Sequence, residues 1–221
     1  MRFARVLMVL GGLGLAAGAF VPTYRNQEEQ RKFVNGVLTI RSGQSVFESP
    51  WELCAGGVWW FSWMVLLPHL FGLSVAWFHA FDVHARRLHG LYRAASGLAM
   101  LPIFITALAV TFAGIANFMM ENWLYATGIA VAAVAAWFFF LASVRALSRS
   151  ELDRHAPLLR LLLYQGILTV LYSGLLLAIA SKNGGPGPAI DVGLCAVAML
   201  LVGTHLAARE VRKALMTLIA A

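Results

Sequence analysis

Six apolar runs separated by short polar segments dominate the chain. The hydrocarbon core of a bilayer is about 30 Å thick, and a helix needs about 20 apolar residues to cross it. The runs predict spans over about 4–22, 53–78, 97–118, 123–144, 158–181 and 190–208. We therefore predict an all-α fold: a single polytopic membrane domain, residues 1–221, built as a bundle of six transmembrane helices.

The first run also has features of a secretory signal. It follows a basic start with Arg2 and Arg5, and Ala17-Gly18-Ala19 resembles a cleavage site. Because its 19 residues suffice to span a bilayer, we interpret it as a retained anchor. Cleavage remains the alternative.

The polar segment 23–52 is the longest connection between spans. Asn26 followed by Glu29 is typical of a helix N-cap with an acid in the first turn, and Asn35-Gly36 would end such a helix. These signals predict a short amphipathic helix over about Gln27–Val34.

The second half of this loop has a different pattern. Residues 37–40 and 45–47 are rich in β-branched and apolar side chains, and Arg41-Ser42-Gly43-Gln44 between them is typical of a turn. The order predicts a small β-hairpin. Since a lone hairpin is marginal in water, we expect this loop to be an interaction surface.

Two features predict how neighbouring spans pack. The turn around Met119–Asn122 is so short that the third and fourth spans must be antiparallel neighbours. Small residues also recur every fourth position, which lets helices approach closely within one subunit or between two. These rows are Ala109, Ala113 and Asn117, and Gly128, Ala132 and Ala136.

Composition excludes a water-soluble domain. Apolar residues make up 60% of the chain and charged residues 12%, with a mean hydropathy of +0.76, whereas soluble domains carry about 25% charged residues. The net charge of +7 suggests a nucleic-acid partner. The basic residues interrupt apolar runs rather than cluster, so we expect membrane lipids and no nucleic acid.

The basic residues also predict an orientation. With the N-terminus inside, twelve of the seventeen Lys and Arg residues lie on the cytoplasmic side, which gives net charges of +8 inside and −1 outside. Because basic loops resist translocation, we predict that both termini are cytoplasmic. The location that fits is a bacterial cytoplasmic (inner) membrane.

Charged residues are absent from the middle of every predicted span, and those within a span stand close to its end. Ion pathways and proton relays usually place charges inside the membrane, so a pump or ion-coupled transporter is disfavoured. A transporter for a neutral small molecule or lipid remains open. Its pathway would involve Asn117, Gln165 and Thr169.

Three histidines are candidate cofactor ligands. His69 follows Pro68 within the second span, while His79 and His205 stand at similar depth near the ends of the second and sixth spans. Facing helical imidazoles can ligate haem b or a pigment. The competing interpretation is that His69 hydrogen-bonds a neighbouring helix, that His79 and His205 lie in the interfacial zone of the membrane, and that the chain binds no cofactor.

The remaining candidates for chemistry are weaker. His79, His84 and His89 are five residues apart, which places them about 140° apart on a helix, so we predict no metal site. Cys54 and Cys195 both stand near outer span ends and are candidates for a disulfide. Two separate thiols are the favoured alternative, and no catalytic motif is present.

These patterns favour a non-catalytic structural or accessory subunit of a larger membrane assembly. It would dock other membrane subunits through its helix faces and the outer loop 23–52, and it would contact membrane lipids. The alternatives are a haem- or pigment-binding redox subunit and a transporter of a neutral molecule.

Overall fold

The computed structural model describes residues 2–22, 24–34, 37–56, 61–80, 89–148, 155–182 and 188–220. Helices account for most of these residues. In chain order they are α1 (Arg2–Ala17), α2 (Pro50–Gly56), α3 (Phe61–Ala80), α4 (His89–Met119), α5 (Trp123–Ser148), α6 (His155–Lys182) and α7 (Pro188–Ala220), with a 3₁₀ turn at Gly18–Phe20. Two strands, β1 (Tyr24–Val34) and β2 (Val37–Glu48), lie between α1 and α2.

The six long helices form a closed ring. Each one from α3 to α7 packs on its neighbours in chain order, and α1 packs between α3 and α7. The prediction that α4 and α5 are neighbours is confirmed. Across the ring, the described parts of α3 and α6 make a small contact.

Five helices are long and apolar enough to cross a membrane, judged over the described residues: Arg2–Phe20, Gly97–Met119, Trp123–Ser148, His155–Ala178 and Val192–Ala220. Large side chains on their outer faces are exposed, as with Phe112 at 65% and Leu124 at 83%. Exposed apolar surface of this extent is what a lipid environment requires. The chain is therefore a helical membrane protein with several spans.

The second predicted span, 53–78, can be followed only in part. The structure describes α2 over Pro50–Gly56 and α3 from Phe61, and residues 57–60 lie outside the described residues. Within α3, the stretch Val65–Ala80 is apolar.

Ser49 and Glu52 start α2 as a capping box. The Ser49 backbone N–H donates to Glu52 Oε2 at 2.7 Å, and the Glu52 N–H donates to Ser49 Oγ at 3.2 Å. Pro50 takes the first helical position, where its missing N–H is harmless. These hydrogen bonds hold the pKa of the exposed Glu52 carboxyl below its usual value.

The predicted helix over Gln27–Val34 is wrong, because these residues belong to strand β1. Antiparallel pairing joins β1 to β2 from Tyr24 opposite Glu48 to Val34 opposite Val37. Asn35-Gly36 lies outside the described residues. It is the strongest short hairpin signal in a sequence, and a continuous ladder satisfies backbone groups that a short isolated helix would leave to water.

A hairpin is present, but its predicted strands and turn are wrong. Residues 41–44 lie inside β2, which runs unbroken from Val37 to Glu48. The register shifts between Gln27 opposite Ser45 and Glu29 opposite Ser42, so two residues of β2 stand against Glu28. Gly43 therefore marks a bulge, a usual place for glycine in a strand.

The turn between α4 and α5 is a Schellman motif. The Asn122 N–H donates to the Asn117 carbonyl and the Glu121 N–H to the Phe118 carbonyl, both at 3.1 Å. Glu121 has a φ of 58°, a left-handed conformation in which glycine is usual. The motif satisfies carbonyl groups that the end of α4 would otherwise leave unpaired.

Close glycine contacts hold α1 in the ring. A Cβ added at Gly12 would lie 2.6 Å from the Gly72 carbonyl oxygen, and one at Gly72 would lie 2.7 Å from the Gly12 carbonyl oxygen. On the other side of α1, Gly11 is equally close to the backbone of Ala196 in α7. Only glycine permits this approach of helix backbones.

Aromatic and small side chains fill the interior. The Phe71 ring lies 5.9 Å from Phe139 and 5.2 Å from Tyr172, measured between centroids, and these three rings join α3, α5 and α6. Ala113, Asn117, Ala132 and Ala136 from the predicted small-residue rows are buried within the chain, whereas Gly128 is exposed. These buried positions therefore serve contacts within the subunit.

Candidate functional site

Gln165 is the centre of a buried polar cluster, which consists of Met8, His79, Gln165 and Thr204 and is here called the Gln165 cluster. Gln165 is fully buried in α6. Its Oε1 accepts a hydrogen bond from His79 Nε2 at 2.8 Å, and its Nε2 donates to Thr204 Oγ1 at 2.7 Å and to Met8 Sδ at 3.3 Å. One amide group therefore joins four helices: α1, α3, α6 and α7.

The position of each residue follows from the ring. Because α7 packs between α6 and α1, Thr204 and Met8 reach Gln165 from the same side, whereas His79 reaches it from the last turn of α3 across the bundle. Arg5, one turn before Met8, is half-buried and interacts electrostatically with His79. The cluster thus lies at the end of the ring where α1 begins.

His69 makes a second buried contact between helices. Its Nδ1 donates to the Leu15 carbonyl oxygen at 2.5 Å, and the ring packs against Gly18. The carbonyl can only accept, so Nδ1 carries a hydrogen and the lone pair of the neutral imidazole is on Nε2. The bond ties the middle of α3 to the last turn of α1.

His205 does not join His79 in a buried pair. It is exposed on α7, whereas the preceding residue, Thr204, is buried against Gln165. Consecutive residues of a helix lie about 100° apart, and here Thr204 faces the interior while His205 faces outward. His79 uses its Nε2 to bind Gln165.

The polar side chains of the predicted neutral pathway are also engaged inside the bundle. Asn117 Nδ2 donates to the Ala113 carbonyl at 2.9 Å, and the Thr169 hydroxyl donates to the Gln165 carbonyl at 2.7 Å. Both acceptors belong to the same helix as their donors. Gln165 donates and accepts within its cluster.

Further polar contacts join the other neighbouring helices. The Ser74 and Thr106 hydroxyl oxygens lie 3.0 Å apart between α3 and α4, and Trp137 Nε1 donates to Thr111 Oγ1 at 3.0 Å between α5 and α4. In hydrocarbon a buried polar group needs such a partner. The interhelical hydrogen bonds described above satisfy the buried side chains of His69, Ser74, His79, Thr106, Gln165 and Thr204.

Two buried polar atoms lack a hydrogen-bond partner in the described part of the chain: the Tyr172 hydroxyl and His155 Nδ1. Tyr172 is 3% exposed and packs its ring on Phe71. A buried hydroxyl without a partner is destabilising. We find no hydrogen-bonding reason for tyrosine rather than phenylalanine at this position.

The described residues contain no group of three or more His, Cys, Asp or Glu side chains that could hold a metal ion. The predicted histidine series can be followed only in part, because His84 lies outside the described residues. Cys54 and Cys195 are separate thiols in the structure and do not form a disulfide. Partial burial raises the pKa of the Cys54 thiol, which keeps it protonated and poorly nucleophilic.

Sequence reasoning missed Thr204 and the pairing of Gln165 with His79. A single Gln in an apolar span indicates that some polar partner exists, because an unpaired amide in hydrocarbon is unfavourable. Nothing in the spacing identifies that partner, since it depends on how the helices are arranged. Comparison with known protein families, curated proteins and solved structures finds no match for the chain.

Proposed function

We propose that the chain is a non-catalytic structural subunit of a larger membrane assembly. The observation that carries the proposal is the hairpin of β1 and β2. Within the described residues, each strand packs extensively only on the other strand. A two-stranded hairpin alone is marginal in water, so a partner that covers it would stabilise it.

The use of the buried polar groups supports the same function. His79, Gln165 and Thr204 bind one another, and His69 binds a backbone carbonyl. These side chains fix which helices are neighbours, and their hydrogen bonds occupy groups that a substrate would otherwise use. A rigid bundle of this kind suits a scaffold.

The proposed arrangement has six spans and cytoplasmic termini in a bacterial inner membrane. The sixth span is α3, whose 20 residues extend about 30 Å at 1.5 Å per residue, the thickness of the hydrocarbon core. Ala4 of α1 and Gly203 of α7 are in contact, so the start of α1 lies beside the middle of α7. The basic residues Arg209, Arg212 and Lys213 follow on exposed positions, as expected for cytoplasmic ends.

The test is purification from native membranes in mild detergent, followed by mass spectrometry. We expect the chain to elute with larger partner subunits in a fixed ratio. The matched variant lacks residues 24–48 and has a short Gly-Ser linker instead. Because Tyr24 and Glu48 are paired, this deletion leaves the two chain ends adjacent and the bundle intact.

The deletion variant should keep the thermal stability of the bundle and lose at least part of its co-eluting partners. A full-length protein that elutes alone, at the same size as the deletion variant, would contradict the proposal.

Haem or pigment binding is a second candidate, favoured by the geometry of His69. Histidines that ligate a metal usually donate their other ring N–H to a carbonyl or carboxylate, as His69 Nδ1 does to Leu15. The pure protein would then show a Soret or pigment absorption band that is lost in His69→Ala. A colourless pure protein contradicts this candidate.

A further inference from the structure

The charged residues of β1 have no charged counterpart across the hairpin. Glu29 stands opposite Ser42, Arg31 opposite Ile40 and Lys32 opposite Thr39. Glu28 falls at the bulge and has no single register partner. Four charges thus occupy the middle of β1 without an opposite charge at the facing register position.

The edge of β1 that faces away from β2 is complementary in charge to a second copy of itself in one register. If a second β1 pairs antiparallel with Gln30 opposite Gln30, then Glu29 stands opposite Arg31 and Glu28 opposite Lys32. The symmetry repeats both pairs, so all four charges meet an opposite charge. Cross-strand pairs of opposite charge stabilise a sheet, and like charges destabilise it.

The neighbouring registers do not share this property. If the two strands are centred on Glu28, Glu29 or Arg31 instead, that residue stands opposite its own copy, so two like charges face each other. If the strands are centred on Gln27, Arg25 opposite Glu29 is the one kind of opposite-charge pair that forms. The overlap of the two strands then falls from nine residues to seven. Strand β2 carries only Arg41 and Glu48, so β1 is the edge with a specific pattern.

We propose that β1 is a dimerisation edge on which the β1 strand of a second copy of this chain pairs, antiparallel and centred on Gln30. The proposal rests on the proposed function, because it names the chain that covers the hairpin within the assembly. Two copies in one membrane are related by an axis along the membrane normal, and the two-fold axis of an antiparallel strand pair is perpendicular to its sheet. The four-stranded sheet therefore lies parallel to the membrane surface.

The test is disulfide crosslinking of the full chain in native membranes. Cys54→Ser and Cys195→Ser remove both natural cysteines, and Gln30→Cys then places one thiol beside its symmetry mate. Residues directly opposite in antiparallel strands have Cα atoms about 4.5–5.5 Å apart, which suits a disulfide. The control, Gln27→Cys, places its two thiols six residues apart along the strands, about 20 Å.

We expect Gln30→Cys to form a covalent dimer under mild oxidation and Gln27→Cys to form none. Adding Glu28→Lys and Glu29→Lys should lower the yield at least about fivefold, because every opposed pair then has like charge. Adding Arg31→Glu and Lys32→Glu instead should lower it similarly. Combining all four changes restores opposite charges and should restore the dimer, which also shows that the altered chains fold.

Equal crosslinking at positions 27 and 30, or the absence of a dimer at position 30, would overturn the proposal; the charges would then serve to prevent edge pairing. These outcomes can be distinguished from a failure of the proposed function. A chain that co-elutes with other subunits but gives no dimer at position 30 retains that function and loses this inference. A dimer at position 30 in a preparation without other subunits retains this inference and contradicts the larger assembly.

Discussion

The Gln165 amide binds side chains from three other helices, so its removal should weaken the bundle more than a single lost contact would. In Gln165→Ala, His79 Nε2 and the Thr204 hydroxyl lose a buried partner. We expect a loss of about 1–3 kcal/mol in the free energy of unfolding, measured by thermal or denaturant unfolding in detergent. Thr169→Val is the matched control, because Thr169 is buried one turn away and bonds only its own helix. Equal losses in both variants would contradict the bridging role of Gln165.

Tyr172 should tolerate loss of its hydroxyl. The atom is buried without a hydrogen-bond partner, and Tyr172→Phe keeps the ring that packs on Phe71. We expect the free energy of unfolding to stay the same or rise by about 1 kcal/mol, since an unsatisfied polar group is removed. Tyr164→Phe, whose ring stacks on Phe138 in a partly buried position, should be neutral. Marked destabilisation by Tyr172→Phe would show that the hydroxyl binds something in the membrane.

The histidines show what residue type and spacing can predict. A histidine within an apolar run must find a partner, and His69 bonds a neighbouring helix in the structure, as the alternative to a cofactor site proposes. The bond from the buried His79 to Gln165 was not predicted. The sequence does not show which of these side chains faces the interior of the bundle. Thr204 and His205 are adjacent in an apolar run, and the small difference in helix rotation that buries one and exposes the other is set by packing against α6.

At the scale of helices, Gly12 and Gly72 set the distance between α1 and α3. A Cβ at either position would meet a backbone carbonyl oxygen at 2.6–2.7 Å, and backbone atoms cannot move away as a side chain can. Gly12→Ala and Gly72→Ala should therefore each lower the free energy of unfolding by about 1–3 kcal/mol. Thermal unfolding of the purified variants measures this change.

Two other helical glycines provide the controls for this prediction. A Cβ at Gly97 or Gly174 would meet nothing within 4 Å. Since alanine favours helices by up to about 1 kcal/mol relative to glycine, Gly97→Ala and Gly174→Ala should be neutral or slightly stabilising. If all four variants behaved alike, helix propensity rather than close packing would determine the outcome.

The Schellman turn between α4 and α5 should be improved by glycine. Glu121 adopts a φ of 58°, which is unfavourable for a residue with a Cβ by about 1–2 kcal/mol. Glu121→Gly should raise the free energy of unfolding by up to about 1 kcal/mol after the entropy of glycine in the unfolded chain is included. Glu121→Ala removes the same carboxylate but keeps the Cβ, so it should give no gain. If both variants raised the free energy of unfolding equally, the cause would be the lost carboxylate charge and not the backbone conformation.

Local signals were misleading where two of them competed. Residues 27–34 are rich in Gln, Glu, Arg and Lys, which favour helices, and Asn35-Gly36 is compatible with either a helix end or a hairpin turn. Pairing with β2 decides between these structures, and it depends on residues that follow the turn.

For the whole molecule, hydropathy predicts the number of long apolar helices better than their arrangement. Short turns identify only pairs such as α4 and α5 as neighbours. The closure of the ring by α1, between α3 and α7, joins segments more than fifty residues apart in sequence. It depends on glycine contacts that have no distinctive pattern in sequence, because glycine is frequent in membrane helices generally.

This closure leads to a prediction about the first helix, which begins like a secretory signal and contains a possible cleavage site at Ala17-Gly18-Ala19. Cleavage there would remove the Met8 contact with Gln165, the Leu15 carbonyl that binds His69, and the packing of Gly12 on Gly72. His69 would then lose its hydrogen-bond partner and Gln165 one of its three, which is unfavourable in hydrocarbon. We expect the mature protein to retain α1, and the intact mass of the protein purified from membranes measures this directly.

A variant strengthens this test of retention. Ala17→Leu and Ala19→Leu remove the small residues that a signal peptidase requires, although Ala19 is buried and its change will affect packing as well. Ala17→Leu alone, at an exposed position, leaves that packing in place. If α1 is retained, the mass of this single variant should differ from that of the original chain only by the substitution. A mature chain that begins near Phe20, and whose mass increases by residues 1–19 when Ala17 is changed, would show that the ring closes without α1 and that its glycine contacts are dispensable.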